Sequence, residues 1–360
     1  MSEFNLWAGS CAHVHTDLER LDRESLADPI RQSEGRTDAP GFDWDVFLNL
    51  GDTSGSQRPP DEAHGEEVVR QFGALEEHRR EQVYNVAGNH DATVPEQETQ
   101  WWFRTYLDPT GEHTDTSGVD PARRPYPVEG TWERYAFEVG NVRFLMMSDR
   151  NDGGPPDGRR MVEAGGAGGY PAGKVTRETF EWWKEQVESH AEKNIVTCHH
   201  HVLKDTTVAS GEWEGIMGHY HGYMDDGAPE GAGYLHFVGD EADPGLFESY
   251  LAENPGAVDL WLGGHTHALP DDDYGGKTHV ERQWGTTFVN VAPMTTDHGS
   301  HTRGLSYTPL TRLFTFEPGE RLVRLRCYLH TDRYDEVGWY DPADRRVPLG
   351  RPFEPPENHD

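Results

Sequence analysis

Along this chain, apolar runs of strand length repeatedly end in a short cluster of His, Asp or Asn. The clusters are His13-Val14-His15, Gly51-Asp52, Gly88-Asn89-His90-Asp91, Cys198-His199-His200-His201 and Gly263-Gly264-His265-Thr266-His267. A polar cluster directly after a strand emerges at its carboxyl end, where open α/β sheets place their ligands. One such cluster is weak evidence for a site. An ordered set of imidazoles, a carboxylate and a carboxamide is a donor set for divalent metals.

The β-rich runs cover about residues 5–12, 45–50, 82–87, 135–138, 142–147, 194–198, 258–262, 287–291, 312–316 and 322–329. That number suffices for two sheets. Helical signals intervene at 61–80, rich in Glu and Arg, and at 176–190, which opens on Thr176 and carries Phe180, Trp183 and Val187 at helical spacing. Strand and helix alternate early, as in a parallel sheet. The later pairs 132–139/142–147 and 313–316/322–329 read as hairpins around Gly140-Asn141 and Pro318-Gly319. A mixed α/β sandwich follows. Residues 149–173 and 205–233 read as long loops of the kind that cover sites. Residues 1–330 form the expected catalytic domain, and 331–360 a tail that packs on the surface or frays.

The chain has 360 residues and a formal net charge of -32, with Lys174, Lys184, Lys193, Lys204 and Lys277 as its lysines. Such a field repels phosphate backbones, so duplex nucleic acid is excluded as a general partner. It also fits a surface adapted to concentrated salt, where repulsion is screened within a few ångströms. The first residues lack the basic stretch of a secretory signal, and no apolar window reaches membrane-span length, so the expectation is a cytoplasmic chain. Cys11, Cys198 and Cys327 are too scattered for a disulfide framework and read as small buried packing groups.

The ordered motifs resemble those of the calcineurin-like metallophosphoesterase superfamily, whose pattern runs Asp-x-His, Gly-Asp, Gly-Asn-His-Asp/Glu, His, Gly-His-x-His. The resemblance spans about residues 5 to 330. It rests most firmly on Gly88-Asn89-His90-Asp91 and Gly264-His265-Thr266-His267. It implies an α/β fold, a four-layer α/β/β/α sandwich of two mixed sheets, with a dinuclear site in the loops at one end. By this resemblance one cation takes His15, Asp52 and His267, and the other Asp52, Asn89, His199 and His265, with Asp52 bridging. The imidazole-rich set suits Mn, Fe, Zn, Co or Ni better than Ca or Mg.

His13 stands where the pattern expects a carboxylate. Three readings are open: His13 is a ligand in a working two-metal site, the first cation is weakly held, or it is absent. In the triple-histidine cluster His199 comes directly off the strand, His200 is the alternative ligand, and His201 packs or lines the loop. His90 is implied as the acid facing the leaving group, with Asp91 orienting it and Asn89 holding phosphoryl oxygens. The implied chemistry is hydrolysis of a small phosphoester by a hydroxide held between the cations. A diester is favoured over a monoester because no cationic cluster suited to a dianion stands out. A non-hydrolytic metal-binding scaffold and a metal-dependent nuclease are the other readings, the nuclease conflicting with the acidic composition.

Gly218-His219-Tyr220-His221 repeats the spelling of the last cluster without a strand before it, so His219 and His221 read as loop residues. Trp213, Tyr220 and Tyr223 on that loop could stack on an aromatic leaving group or pin the loop. Candidates to clamp phosphate are Arg58, Arg104, Arg150, Lys204, His298 and Arg303, among which sequence does not choose.

Overall fold

The computed structural model describes residues 2–54, 59–93, 96–150, 174–211, 234–237, 245–271, 273, 276–296, 308–332 and 336–356. The apolar runs form strands β1 Phe4–Gly9, β2 Val46–Leu50, β3 Val83–Val86, β4 Glu129–Gly130, β5 Arg134–Val139, β6 Val142–Met147, β7 Lys174–Val175, β8 Asn194–Cys198 and β9 His236–Phe237. They continue as β10 Leu260–Gly263, β11 Val280–Gln283, β12 Thr286–Asn290, β13 Leu310–Phe316, β14 Leu322–Leu329, β15 Gly338–Trp339 and β16 Arg345–Pro348. One sheet runs β15-β14-β13-β1-β2-β3, with β16 also pairing β14, and a second runs β11-β12-β10-β8-β6-β5-β4.

Both sheets are mixed. In the first, β1, β2 and β3 are parallel and β13 is antiparallel to β1. In the second, β6, β8, β10 and β12 are parallel, with β5 and β11 antiparallel at the flanks. The expected hairpins β5–β6 and β13–β14 are present. Alternation along each strand separates two faces. Leu6, Leu48, Phe314, Phe144, Val196 and Leu262 meet between the sheets. On the outer face of the first sheet, Trp7, Phe47 and Leu313 pack with Val14, Ile30, Val68 and Phe72 from the helices Val14–Leu21, Ala27–Ser33 and Glu62–Phe72. On the outer face of the second, Leu145, Ile195 and Trp261 pack under Phe180, Trp183, Phe247 and Leu251 from the helices Arg177–Ser189 and Leu246–Glu253. The result is the expected α/β/β/α layering.

Local signals account for the helix ends. Thr176 caps Arg177–Ser189 by accepting from the Thr179 N–H. Asp61 caps Glu62–Phe72 by accepting from the His64 N–H, and that helix ends at Phe72, well short of residue 80.

The expectation for residues 331–360 needs correction. β15 and β16 both add to β14, and Val347, Leu349 and Phe353 are buried between the sheets. Phe353 lies near Phe4 and Phe316, with ring centroids 6.4 and 5.6 Å away. The segment is rich in Pro, Asp and Arg, but its few apolar residues fall where they can reach the core. No helix among the described residues is long and apolar enough to cross a membrane.

Candidate metal centre

All the polar clusters lie at carboxyl ends of parallel strands, on loops after β1, β2, β3, β8 and β10. Backbone bonds stitch the loops together. The N–H groups of Cys11, His13 and Val14 donate to the carbonyls of Gly51, Asp52 and Thr53 at 2.9–3.1 Å, tying the β1 loop to the β2 loop. The Gly264 N–H donates to the His200 carbonyl at 2.7 Å, tying the β10 loop to the β8 loop. His200 Nδ1 reaches the Leu50 carbonyl at 2.6 Å and so joins the two sheets.

Such close approach explains the glycines. A methyl group at Gly88 would collide with the Asp52 carboxylate, and one at Gly264 with Ser10. Cys11, His13, Asp52 and His265 have φ of 56, 41, 53 and 66°, in the left-handed region that non-glycine residues rarely adopt. Four such residues in one spot indicate backbone geometry subordinated to side-chain placement.

At the centre is Asp52, fully buried. Its Oδ1 accepts the His90 backbone N–H at 2.8 Å, and its Oδ2 lies 3.0 Å from His200 Nε2 and 3.8 Å from His13 Nε2. Burial alone would raise its pKa, but His200, His90 and His13 together hold it well below the carboxylate range. Burial lowers the His200 pKa, yet Asp52 overrides this and pushes it up to about 9. Burial outweighs Asp52 at His13, whose pKa falls well below the ordinary value with His90 and His267 adding to the drop.

Donor groups converge around this carboxylate. The ligand atoms of Cys11, His13 and His267 lie within 4.8 Å of one another, as do those of Cys11, Asp52 and His200, and those of His200, His201 and His265. The His13 ring also stands edge-on to His90 at 5.0 Å. Asn89 Oδ1 is buried with no hydrogen-bond partner among the described residues. An acceptor oxygen left unsatisfied in a buried site, beside imidazole, thiol and carboxylate donors, is the arrangement a bound cation would complete. The residues present therefore fit divalent metals.

The structure places several of the expected site residues differently from the sequence expectation. His15 sits on the first turn of the helix Val14–Leu21, with its ring 4.2 Å from His64 and Nε2 3.2 Å from Glu19. His13 takes the position beside Asp52 and His267 that the resemblance assigned to His15. Strand β1 ends at Gly9, and Cys11, two residues later, pairs with Gly51 just as Asp52 follows Leu50 by two. The Asp-x-His pattern thus falls on Cys11-Ala12-His13, and the residue in place of the carboxylate is Cys11. Two overlapping x-His spellings hid this frame. Counting from the true strand end is the signal that separates them.

His200, not His199, faces Asp52. His199 and His201 turn to the buried Asp149, with His199 Nε2 3.0 Å from Oδ1 and His201 Nδ1 3.3 Å from Oδ2. Successive side chains off a strand point to opposite sides, so a shift of one residue changes which imidazole looks into the site. Burial raises the Asp149 pKa, but His201 and His199 pull it down to about 2. Asp149 follows β6 by two residues, at the start of the segment 149–173 that by composition resembles a long loop, and only its position beside His199 and His201 marks it. Asp91 also differs from expectation: its Oδ1 accepts from the Ser54 N–H at 2.9 Å and its Oδ2 from the Gly88 N–H at 2.8 Å. It braces the β2 and β3 loops that carry Asp52 and His90. Burial and Asp52 push its pKa up to about 7.

Arg104 lies between Glu98 and Glu112, at 3.7 Å from each. Arg150 lies 3.1 Å from Glu133, and Lys204 sits over the Tyr234 ring at 5.3 Å. Arg58, His298, Arg303, His219, His221, Trp213, Tyr220 and Tyr223 lie outside the described residues, as do most of the two long loops.

The sequence pattern of the calcineurin-like phosphoesterase family matches residues 17–269, well over half of the chain. No curated protein is significantly similar in sequence. Among solved structures, Vps29 of Chaetomium thermophilum is similar over 97% of this chain and 98% of its own, at 10% identity and a TM-score of 0.32. The family match covers the clusters from Asp52 through His267, and the chain belongs to the calcineurin-like phosphoesterase family.

Proposed function

We propose that this protein is a metal-dependent phosphoester hydrolase acting on small phosphodiesters, with a two-cation site centred on Asp52. The observation that carries the reading is one buried carboxylate flanked by two donor sets at the strand ends. His13 and His267 would hold one cation with Asp52, and Asn89, His200 and His265 the other with Asp52. When bound, the pair supplies Lewis acidity toward the phosphoryl group and activation of water. Mn, Fe, Zn, Co and Ni suit such imidazole-rich donors.

The chain's own groups do the rest. The His90 backbone N–H orients the Asp52 carboxylate from the side opposite His200. The His90 ring, next to His13, would give its proton to the leaving-group oxygen as the ester bond breaks. Asp91 keeps that ring in place through the backbone of the two loops. Two observations support the diester: among the described candidates Arg104 and Arg150 both lie against carboxylates, and the net charge of -32 disfavours a dianionic monoester. The same charge argues for small substrates over duplex nucleic acid.

The test is turnover of the metal-stripped chain after adding each metal, with bis(p-nitrophenyl) phosphate against p-nitrophenyl phosphate. Faster monoester turnover overturns the diester preference. Full activity in His90→Ala overturns the role of His90. Metal binding without turnover of either ester favours a scaffold.

A further inference from the structure

Resting on the two-cation reading, we propose that Cys11 is a sulfur ligand of the metal centre, coordinating the cation held by His13 and His267 as a thiolate. The chain's cysteines provide an internal contrast. All are free and buried. Cys198 packs between the sheets among Leu262, Met146 and their neighbours, and Cys327 packs with Leu310, Leu329 and Ala343. Cys11 belongs to none of the apolar clusters. Its sulfur lies within 4.8 Å of the ligand nitrogens of His13 and His267, and likewise of Asp52 and His200. Ser10 Oγ is 3.4 Å away, and the His265 backbone N–H points at the sulfur.

The backbone holds this sulfur where it is. Cys11 has a φ of 56°, its N–H donates to Gly51, and its carbonyl accepts from Thr295 at 3.0 Å. A side chain needed only for packing has no use for a left-handed backbone among imidazoles. Sulfur, imidazole and carboxylate are all donor types that zinc and cobalt accept, and Cys11 is the residue shared by the group with His13 and His267 and the group with Asp52 and His200. The thiolate also supplies a second negative charge beside Asp52, which offsets the absence of a carboxylate at this position. On coordination the thiol proton leaves to solvent and the metal–sulfur bond takes its place.

Cobalt(II) reads this directly, because a cobalt–thiolate bond adds a near-ultraviolet charge-transfer band that imidazole and carboxylate ligands do not. The full-length metal-stripped protein is titrated with cobalt alongside Cys11→Ser, Cys11→Asp and Cys198→Ser, recording the spectrum and bound cobalt per chain. The band is expected in the wild type and Cys198→Ser. It is absent in Cys11→Ser, where one cobalt binds about tenfold more weakly or worse. Cys11→Asp restores the stoichiometry without the band, and keeps the test informative should Cys11→Ser fold poorly. Cobalt bound by the wild type without the band, or a band that survives in Cys11→Ser, overturns the role of Cys11 and leaves the two-cation reading standing. Failure of both wild type and Cys11→Asp to bind cobalt overturns that reading itself.

Discussion

His200 Nε2 lies 3.0 Å from Asp52 Oδ2, joining a loop of one sheet to a loop of the other in a fully buried pair. His199, the adjacent residue, faces Asp149 at the same distance. The two imidazoles are therefore separable by mutation. His200→Asn is expected to lower metal bound per chain and to cost the metal-free protein about 3 kcal/mol, the scale for breaking a buried charged pair. His199→Asn should destabilise without removing a metal. Metal analysis together with urea melts of both variants checks this, and the reverse pattern would make His199 the ligand.

Gly264 approaches Ser10 too closely for a side chain. Gly264→Ala should lose about 2 kcal/mol through overpacking. The double variant Gly264→Ala/Ser10→Gly should recover part of that loss, because Ser10 is the atom group in the way and the next neighbour, Ala292 Cβ, is at an ordinary 3.5 Å. Additive losses in a double-mutant cycle would rule out the contact.

His279 is buried and neutral, with Nε2–H donating to the Leu269 carbonyl at 2.6 Å. Burial, with Arg312 adding to it, lowers its pKa to about 3. A histidine depressed in this way contributes stability that is complete above the unfolded pKa of about 6.5 and is lost as pH falls toward the folded value. Between about pH 6 and pH 4 it should cost roughly 1.4 kcal/mol per pH unit. His279→Gln should flatten the acid limb of unfolding free energy against pH by about that slope. An unchanged limb would show that His279 does not titrate as buried.

Phe353 sits in the inter-sheet core at 1% exposure, its N–H donating to Glu320 and its carbonyl accepting from Gly319. Phe353→Ala is expected to cost about 3–5 kcal/mol. Chemical denaturation measures it, and a loss below about 1 kcal/mol would return the carboxyl-terminal segment to the role of a surface wrap.

The strands that carry the site were legible because a buried strand needs a continuous apolar run, and the polar clusters at their ends stand out against it. Val46–Leu50 before Asp52 and Asn194–Cys198 before the histidines match the expected runs closely. The carboxyl-terminal strands were not legible. β15 and β16 are only two and four residues long, both pair with the preceding strand β14, and their composition resembles a loop.

Residue types and their order along the chain were enough to establish the α/β class, the strand ends that bear donors and the family resemblance. Which donors meet was decided in three dimensions. A shift of one residue off β8 turns His199 toward Asp149 and His200 toward Asp52, and β1 stopping at Gly9 brings Cys11 and His13, in place of His13 and His15, to the centre. Motif spelling constrains spacing along the chain. The direction a side chain takes depends on where the strand ends and on the backbone dihedrals beyond it, which loop-to-loop hydrogen bonds between residues distant in sequence determine.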